Sequence, residues 1–229
     1  MYNLFKAEIY KLKYSKELLI CIIGLFVLGA IAIYYGGGTT GKESLSSQSR
    51  EMFGLMACTL FAITYIGRDF SFKTINHTLT AGHKRSKVLL GKYASYTVAC
   101  IIILLINYLF MGGLYILFYG WGQSFTEAEL YFVIVYILMG IFFDLCIVSI
   151  PFFICVLIRN SSIAMALSAG VIGLIFSLSQ MPWDTIAYSV GSKDTSLEVA
   201  SVIFSLSFII ITTLLYSICN HNFKKIDIQ

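Results

Sequence analysis

Six long apolar runs, separated by short polar segments, dominate the pattern along the chain. They lie at about 18–35, 46–66, 95–119, 131–158, 163–179 and 200–218. A bilayer core about 30 Å thick needs roughly 20 helical residues at about 1.5 Å per residue, and these runs meet that need within the range that tilt allows. The fourth run is too long for a straight crossing, and we expect Pro151 to kink it with helix on both sides. The pattern predicts an all-α integral membrane protein with six transmembrane helices.

Composition supports this prediction. Of the 229 residues, 58% are hydrophobic and only 12% are charged, and a soluble domain carries about twice that charge. A soluble fold could not cover so much apolar sequence with polar surface, whereas lipid removes the need. The net charge of +4 is too small to indicate a nucleic-acid partner, so we expect none.

The distribution of basic residues predicts the orientation. If the N-terminus is cytoplasmic, the outer segments contain only Lys42, Arg50 and Lys193, and the other thirteen of the sixteen lysines and arginines lie inside. This asymmetry is the positive-inside signal, and it predicts that both ends are cytoplasmic. An outer segment at 181–190, which includes Trp183 and Tyr188, is a candidate interfacial helix.

The cytoplasmic segment at 1–17, which precedes the six-span domain at 18–229, has an amphipathic pattern. Leu4, Phe5, Ile9 and Leu12 recur at helical spacing, and the lysines lie mostly elsewhere on the helical wheel. The pattern predicts an interfacial helix on the inner membrane surface. The alternative is a basic flank that only sets the topology.

The cytoplasmic segment at 67–92, between the second and third runs, is the longest inner one and contains six basic residues. It also carries apolar side chains that a solvated connector would not need, namely Phe70, Phe72, Ile75 and Leu79. We predict a short helix around Phe72–Thr80 that ends at Gly82.

Asp144 is the only ionisable side chain deep in a predicted span. A charge at the centre of a bilayer costs roughly 2.5–3.5 kcal/mol on insertion scales, so the side chain is expected to face the protein or a wet cavity, or to carry a proton. The favoured interpretation is a hydrogen bond to a Ser, Thr, Tyr or Asn of another helix, such as Asn107. The alternative is a carboxylate in the substrate path, for which Asp144 is the one candidate.

No set of residues in the sequence has the spacing of a catalytic or metal site. The stretch Gly36–Glu43 is close to a phosphate-binding loop, but Glu43 stands where a Ser or Thr would hold magnesium, and the stretch is predicted to face outside. The six cysteines form no CxxC pair, and the three histidines lie in cytoplasmic segments. We therefore predict no enzyme activity, no catalytic residue, no metal or other cofactor bound by this chain, and no disulfide.

Two stretches resemble a known family. The stretch Phe5–Lys13 (FKAEIYKLK) and the stretch Gly67–Ile75 (GRDFSFKTI), with Arg85 and Lys92 after it, are similar to short type-2 ATP-binding-cassette permeases. In that family the loop carries an acidic or polar pair, then Gly-Thr-Ile/Leu, a small-residue turn, Arg, and Lys before the third span. Lys73 departs from this pattern because glycine is common at its position. Such permeases are mostly bacterial, which implies a multi-pass protein of the bacterial plasma membrane.

The resemblance implies a division of labour between subunits. Two copies of a cytosolic ATPase would bind ATP and magnesium, and two permease subunits would form the path, with a homodimer favoured over a heterodimer. The segment 67–92, which we call the coupling segment, would contact the ATPase. Its coupling residues would be Phe70, Phe72, Lys73, Thr74, Ile75, Leu79 and Arg85.

Short permeases of this type often export amphipathic peptides, toxins or antimicrobials, or confer immunity to them, so the resemblance implies a peptide exporter. The alternative is a secondary transporter or channel that uses Asp144. Such proteins usually show several intramembrane polar groups, broken helices or internal repeats. One intramembrane carboxylate and no visible repeat argue against that alternative.

Overall fold

Every element of the computed structural model is helical within the residues that it describes. These are residues 2–36, 40–41, 52–72, 74–75, 80, 82, 84–122, 127–158, 160–175 and 195–225. The helices are α1 (Tyr2–Lys13), α2 (Lys16–Gly36), α3 (Met52–Phe61), a π-helical segment (Ala62–Gly67), α4 (Arg68–Ser71), α5 (Arg85–Tyr119), α6 (Glu127–Ile158), α7 (Ser161–Ile175) and α8 (Thr195–Lys225). The all-α fold class is confirmed for this part of the chain.

Three helices in the described ranges are long and apolar enough to cross a membrane. They cover Lys16–Tyr35, Arg85–Tyr119 and Gly140–Ile158, and Ser161–Ile175 is a shorter apolar helix. The second run is predicted to begin at about residue 46, but residues 42–51 lie outside the described part, as does the candidate interfacial helix at 181–190. The six crossings and the cytoplasmic location of both ends stay predictions.

Helix α5 begins well before the apolar run that predicted it. Its 35 residues correspond to about 52 Å of helix, more than the bilayer core requires. The first turns, from Arg85 to Lys92, are rich in polar and charged residues, so a search for apolar runs places the boundary near residue 95. The coupling segment 67–92 is therefore helical at both ends, in α4 and in the start of α5.

Helix α1 folds back and packs on α5. The turn between α1 and α2 is closed by Ser15, whose backbone N–H and hydroxyl both donate to the carbonyl of Leu12, at 3.0 and 2.8 Å. Gly91 of α5 allows the close approach, because a Cβ there would lie 3.1 Å from Leu4 Cδ2. This contact places α1 beside the end of α5 that carries Lys92.

The face that α1 turns toward the protein contains two residues of the predicted apolar stripe, Leu4 and Leu12. These two and Glu8 are buried, whereas Phe5 and Ile9 are half-buried. The stripe of residues four apart that is buried thus has a carboxylate at its centre. The packing accommodates it because a cation of α5 lies opposite, as described below.

Aromatic side chains fill the space between α3, α5 and α6. Tyr96 stacks with Phe61 and packs on Phe152, and its hydroxyl donates to the carbonyl of Val148 at 2.8 Å. Pro151 lies inside α6, which continues as helix on both sides of it. This packing fixes the spatial relation between the second, third and fourth predicted spans.

Candidate functional site

Four charged side chains meet where α1, α4 and α5 come together. Lys92 Nζ donates to Glu8 Oε1 at 3.0 Å and to Asp69 Oδ2 at 2.6 Å. Lys11 Nζ lies 2.7 Å from Asp69 Oδ2 and 3.0 Å from Asp69 Oδ1. We call Glu8, Lys11, Asp69 and Lys92 the four-charge cluster. It links the N-terminal helix, the start of the coupling segment and the base of α5.

Two neutral hydroxyls complete the hydrogen bonding of the cluster. Tyr65 Oη, from the π-helical segment, donates to Glu8 Oε2 at 3.1 Å. Thr74 Oγ1 donates to Asp69 Oδ1 at 3.0 Å, which ties the next part of the coupling segment to the cluster. Lys11 Nζ also lies 4.8 Å from the centroid of the Tyr65 ring, within the range of a cation–π contact. Each carboxylate therefore has both oxygens engaged.

The two cations of the cluster differ in their exposure. The Lys92 side chain is 4% exposed and the Lys11 side chain is 47% exposed. Interactions between charges are weakly screened when water is excluded, so the pairs made by Lys92 are the stronger constraint. A buried cation of this kind fixes geometry, since separation from either acid would leave a charge without its partner.

The surroundings of Asp69 change its acidity. Burial acts to raise the pKa of this carboxyl, but attraction to Lys92 and hydrogen bonds from Lys11 and Lys92 outweigh burial, and the pKa lies below its ordinary value of 3.8. Asp69 is therefore ionised throughout the physiological range.

The lowered pKa of Asp69 predicts an acid-dependent loss of stability. A carboxyl whose pKa is lower in the folded state contributes its full stability above its unfolded pKa, and this contribution disappears as the pH falls through the folded value. We expect the part of the thermal midpoint due to Asp69 to be constant from pH 7 down to about 5 and to decline below about pH 4. A pH series of thermal unfolding in detergent measures it. Asp69→Asn should lower the midpoint at pH 7 and flatten the acid slope, and an unchanged slope in that variant would contradict the assignment.

The structure describes five of the seven predicted coupling residues. Phe72 is 70% exposed, next to Phe70, which is buried against the C-terminal helix. Ile75 is buried and Thr74 is bound to Asp69. Arg85 opens α5 and donates from Nη1 to the carbonyl of Phe223 at 3.4 Å. Lys73 and Leu79, with most of the predicted Phe72–Thr80 helix, lie outside the described residues.

An open cavity of about 290 Å³ lies beside the cluster. Its walls come from the α1–α2 turn, the π-helical segment and the start of the coupling segment, and they include Tyr14, Thr64, Asp69 and Phe72. A salt bridge between Arg68 Nη1 and Glu17 Oε1, at 3.1 Å, joins α4 to α2 at its edge. The exposed Phe72 side chain therefore lies at the edge of an open cavity where the coupling segment begins.

Asp144 lies between α5 and α6 and is 4% exposed. It accepts a hydrogen bond at Oδ2 from the hydroxyl of Tyr108, at 3.2 Å, whereas no residue in the described ranges bonds to its buried Oδ1. Gly140 makes this approach possible, since a Cβ there would overlap the Tyr108 hydroxyl. The geometry is the interhelical hydrogen bond that the sequence favoured, and it uses a tyrosine next to the expected Asn107.

The sequence pointed to only part of this site. Glu8, Lys11 and Asp69 lie in the two stretches that resemble the family, and Lys92 was one of the basic residues of the coupling segment, but no role was predicted for these four, and Tyr65 carried no prediction. The signal that could have found Glu8 is a carboxylate between Leu4 and Leu12 on an otherwise apolar stripe. In the part of the chain that the structure describes, no three His, Cys, Asp or Glu side chains come together as a metal site.

The four-charge cluster thus joins α1, α4 and α5 through ion pairs between side chains that are far apart in the sequence. No curated protein matches the chain. The family model described as ABC-2 family transporter protein matches residues 4–177, more than half of the chain, and includes all four members of the cluster. In this family the membrane subunit works with a partner ATPase subunit. The chain belongs to the ABC-2 transporter family, as a permease subunit of an ABC transporter.

Proposed function

We propose that this permease subunit receives the ATP-driven movement of its ATPase through the coupling segment and transmits it to its spans through the four-charge cluster. The observation that carries the proposal is Asp69, which lies at the start of the coupling segment and binds the cations of α1 and α5 at once. A push on the segment would move Asp69, and the ion pairs would oblige α1 and α5 to move with it.

The proposed assembly contains two copies of the permease and two copies of a cytosolic ATPase. ATP and magnesium are held by the ATPase, since the permease sequence carries no complete phosphate-binding loop. We favour a homodimer of the permease in a bacterial plasma membrane, with six spans and both ends in the cytoplasm. The thirteen-to-three division of basic residues supports this orientation.

The proposed direction of transport is export, and the proposed cargo is an amphipathic peptide, toxin or antimicrobial. The 15 tyrosines and 18 phenylalanines of the chain support a path that accepts mixed apolar and polar surfaces. The size of the permease and its resemblance to short type-2 exporters support the same class of cargo.

The exposed Phe72 side chain allows a direct test of the coupling role. Phe72→Ala should leave folding intact, because a side chain that is 70% exposed contributes little to packing. We expect the variant to lose most of the copurifying ATPase, or to lower the ATPase rate of the reconstituted complex by about tenfold, as for a contact that supplies about 1.4 kcal/mol. Pull-down in mild detergent and ATPase assays in proteoliposomes measure the two effects.

Phe118→Ala is the matched control for this test. Phe118 is 69% exposed and lies near the other end of α5, far along the helix from Lys92. It should retain the ATPase and its rate. Equal losses of ATPase binding or ATPase rate in both variants would contradict the proposed function. So would a wild-type permease that repeatedly purifies without an ATPase.

A secondary transporter or channel is the competing function. The observation that favours it is the buried carboxyl of Asp144, whose Oδ1 has no partner among the residues that the structure describes. It would be indicated by transport that survives ATP depletion, collapses with the proton gradient and is lost in Asp144→Asn. The hydrogen bond from Tyr108 favours an interhelical structural contact for Asp144 over a place in the substrate path.

A further inference from the structure

The last turns of α8 contact the coupling segment, although they lie beyond residue 177, where the family match ends. Phe223 is 5% exposed and meets Phe70 edge to face, with 5.8 Å between ring centroids and 69° between ring planes. Phe70 follows Asp69 directly in α4. The two neighbours are about 100° apart on the helix, so one faces the four-charge cluster and the other faces α8.

The same turns of α8 also contact the part of the coupling segment that begins α5. Arg85 Nη1 donates to the carbonyl of Phe223 at 3.4 Å, and Ser86 Oγ donates to Asn220 Oδ1 at 2.6 Å. Arg85 and Ser86 form the first turn of α5. A single stretch of α8, from Asn220 to Phe223, thus contacts two separate parts of the coupling segment. One is Phe70 in α4, and the other is Arg85 and Ser86 at the start of α5.

The Arg85 guanidinium is a charged donor, and it binds the Phe223 carbonyl in the last described turns of α8. The contact joins these turns to the first turn of α5, and together with the contact between Phe223 and Phe70 it fixes the distance between Phe70 and Arg85.

We propose that Phe223 is a positioning residue for coupling. The C-terminal turns of α8 would hold Phe70 and Arg85 at a fixed separation, and we call these two residues the base of the coupling segment. This inference rests on the proposed function. Phe223 acts through its contacts with Phe70 and Arg85. With the base closed, movement of the ATPase displaces the segment as a unit. With the base open, the segment would deform locally, and less of the movement would reach the spans.

The experiment uses the full chain with its partner ATPase in proteoliposomes, and compares Phe223→Ala with Ile218→Ala. Ile218 is an apolar residue of the same helix that is 53% exposed. We expect Phe223→Ala to retain the copurifying ATPase and to lower the thermal midpoint by several degrees, because a buried ring is lost. The stimulation of ATP hydrolysis by the permease, measured well below that midpoint, should fall at least threefold. Tryptic cleavage at Lys84, which is exposed, should become faster. Ile218→Ala should match the wild type in all four measurements.

Two further variants protect the test against simple misfolding. Phe223→Tyr keeps the ring and should restore the stimulation, and Asn220→Ala removes the bond from Ser86 without opening a core cavity and should lower the stimulation partly. Wild-type stimulation in Phe223→Ala, equal losses in both alanine variants, or loss of the ATPase itself would overturn the positioning role. A wild-type chain without an ATPase would instead contradict the proposed function.

Discussion

Replacement of Lys92 by methionine is expected to unfold the junction of α1, α4 and α5 and to abolish coupling. The change removes the buried cation and leaves Glu8 and Asp69 facing each other without their shared partner. Loss of one member of a buried ion pair costs about 3–5 kcal/mol, because the remaining charges stay desolvated. We expect the thermal midpoint in detergent to fall by on the order of 10 °C and stimulated ATP hydrolysis to drop to the background rate.

Two lysines serve as graded controls for this prediction. Lys87 is exposed on the same turns of α5, and Lys87→Met should change the free energy of unfolding by no more than about 0.5 kcal/mol. Lys11, with a side chain 47% exposed, should give an intermediate loss of about 1 kcal/mol or less. If Lys92→Met is no more harmful than Lys11→Met, the buried cation is not what joins the three helices.

Gly140→Ala is expected to disrupt the packing of α5 on α6. The added methyl would overlap the Tyr108 hydroxyl and lie 2.9 Å from its Cζ, and Tyr108 is fully buried with a rigid ring that cannot swing aside. Overpacking of this kind costs about 1–3 kcal/mol. Displacement of Tyr108 would also remove the donor to Asp144, so the cost should lie at the upper end. Thermal unfolding in detergent measures the loss.

The control for the glycine substitution is Gly113→Ala in α5. A Cβ at Gly113 would have no heavy atom within 4 Å. The change should be neutral or should stabilise the helix by up to about 1 kcal/mol, because alanine has the higher helix propensity. Equal destabilisation by the two substitutions would show that overlap with Tyr108 is not the cause of the loss in Gly140→Ala.

The sequence predicted the parts of this structure that depend on local pattern. Apolar runs gave α2, α5 and α6 because length and hydropathy are properties of neighbouring residues. The start of α5 was misplaced by ten residues, since Arg85, Lys87 and Lys92 mask the helix in a search for apolar runs. Continuation of α6 through Pro151 was predicted correctly, because a kinked helix resumes on both sides of a proline.

The site was predicted less well because its contacts join distant parts of the chain. Glu8 and Lys92 are 84 positions apart, and no periodicity relates them. Phe70 and Arg85 were predicted to contact the ATPase, and the structure places both of them against Phe223. Composition identifies a residue that needs a partner, whereas only the packing of α1 and α8 shows which partner it has.

The continuous helix from Met52 to Asp69 makes the length of the second predicted span a strict requirement. The backbone is helical throughout this stretch, and one α-helical residue corresponds to a rotation of about 100°. An inserted or deleted residue within the α-helical part, Met52–Phe61, would turn Asp69 away from Lys92 and at the same time turn Phe70 away from Phe223. The residue count of this helix therefore sets the direction in which the coupling segment begins.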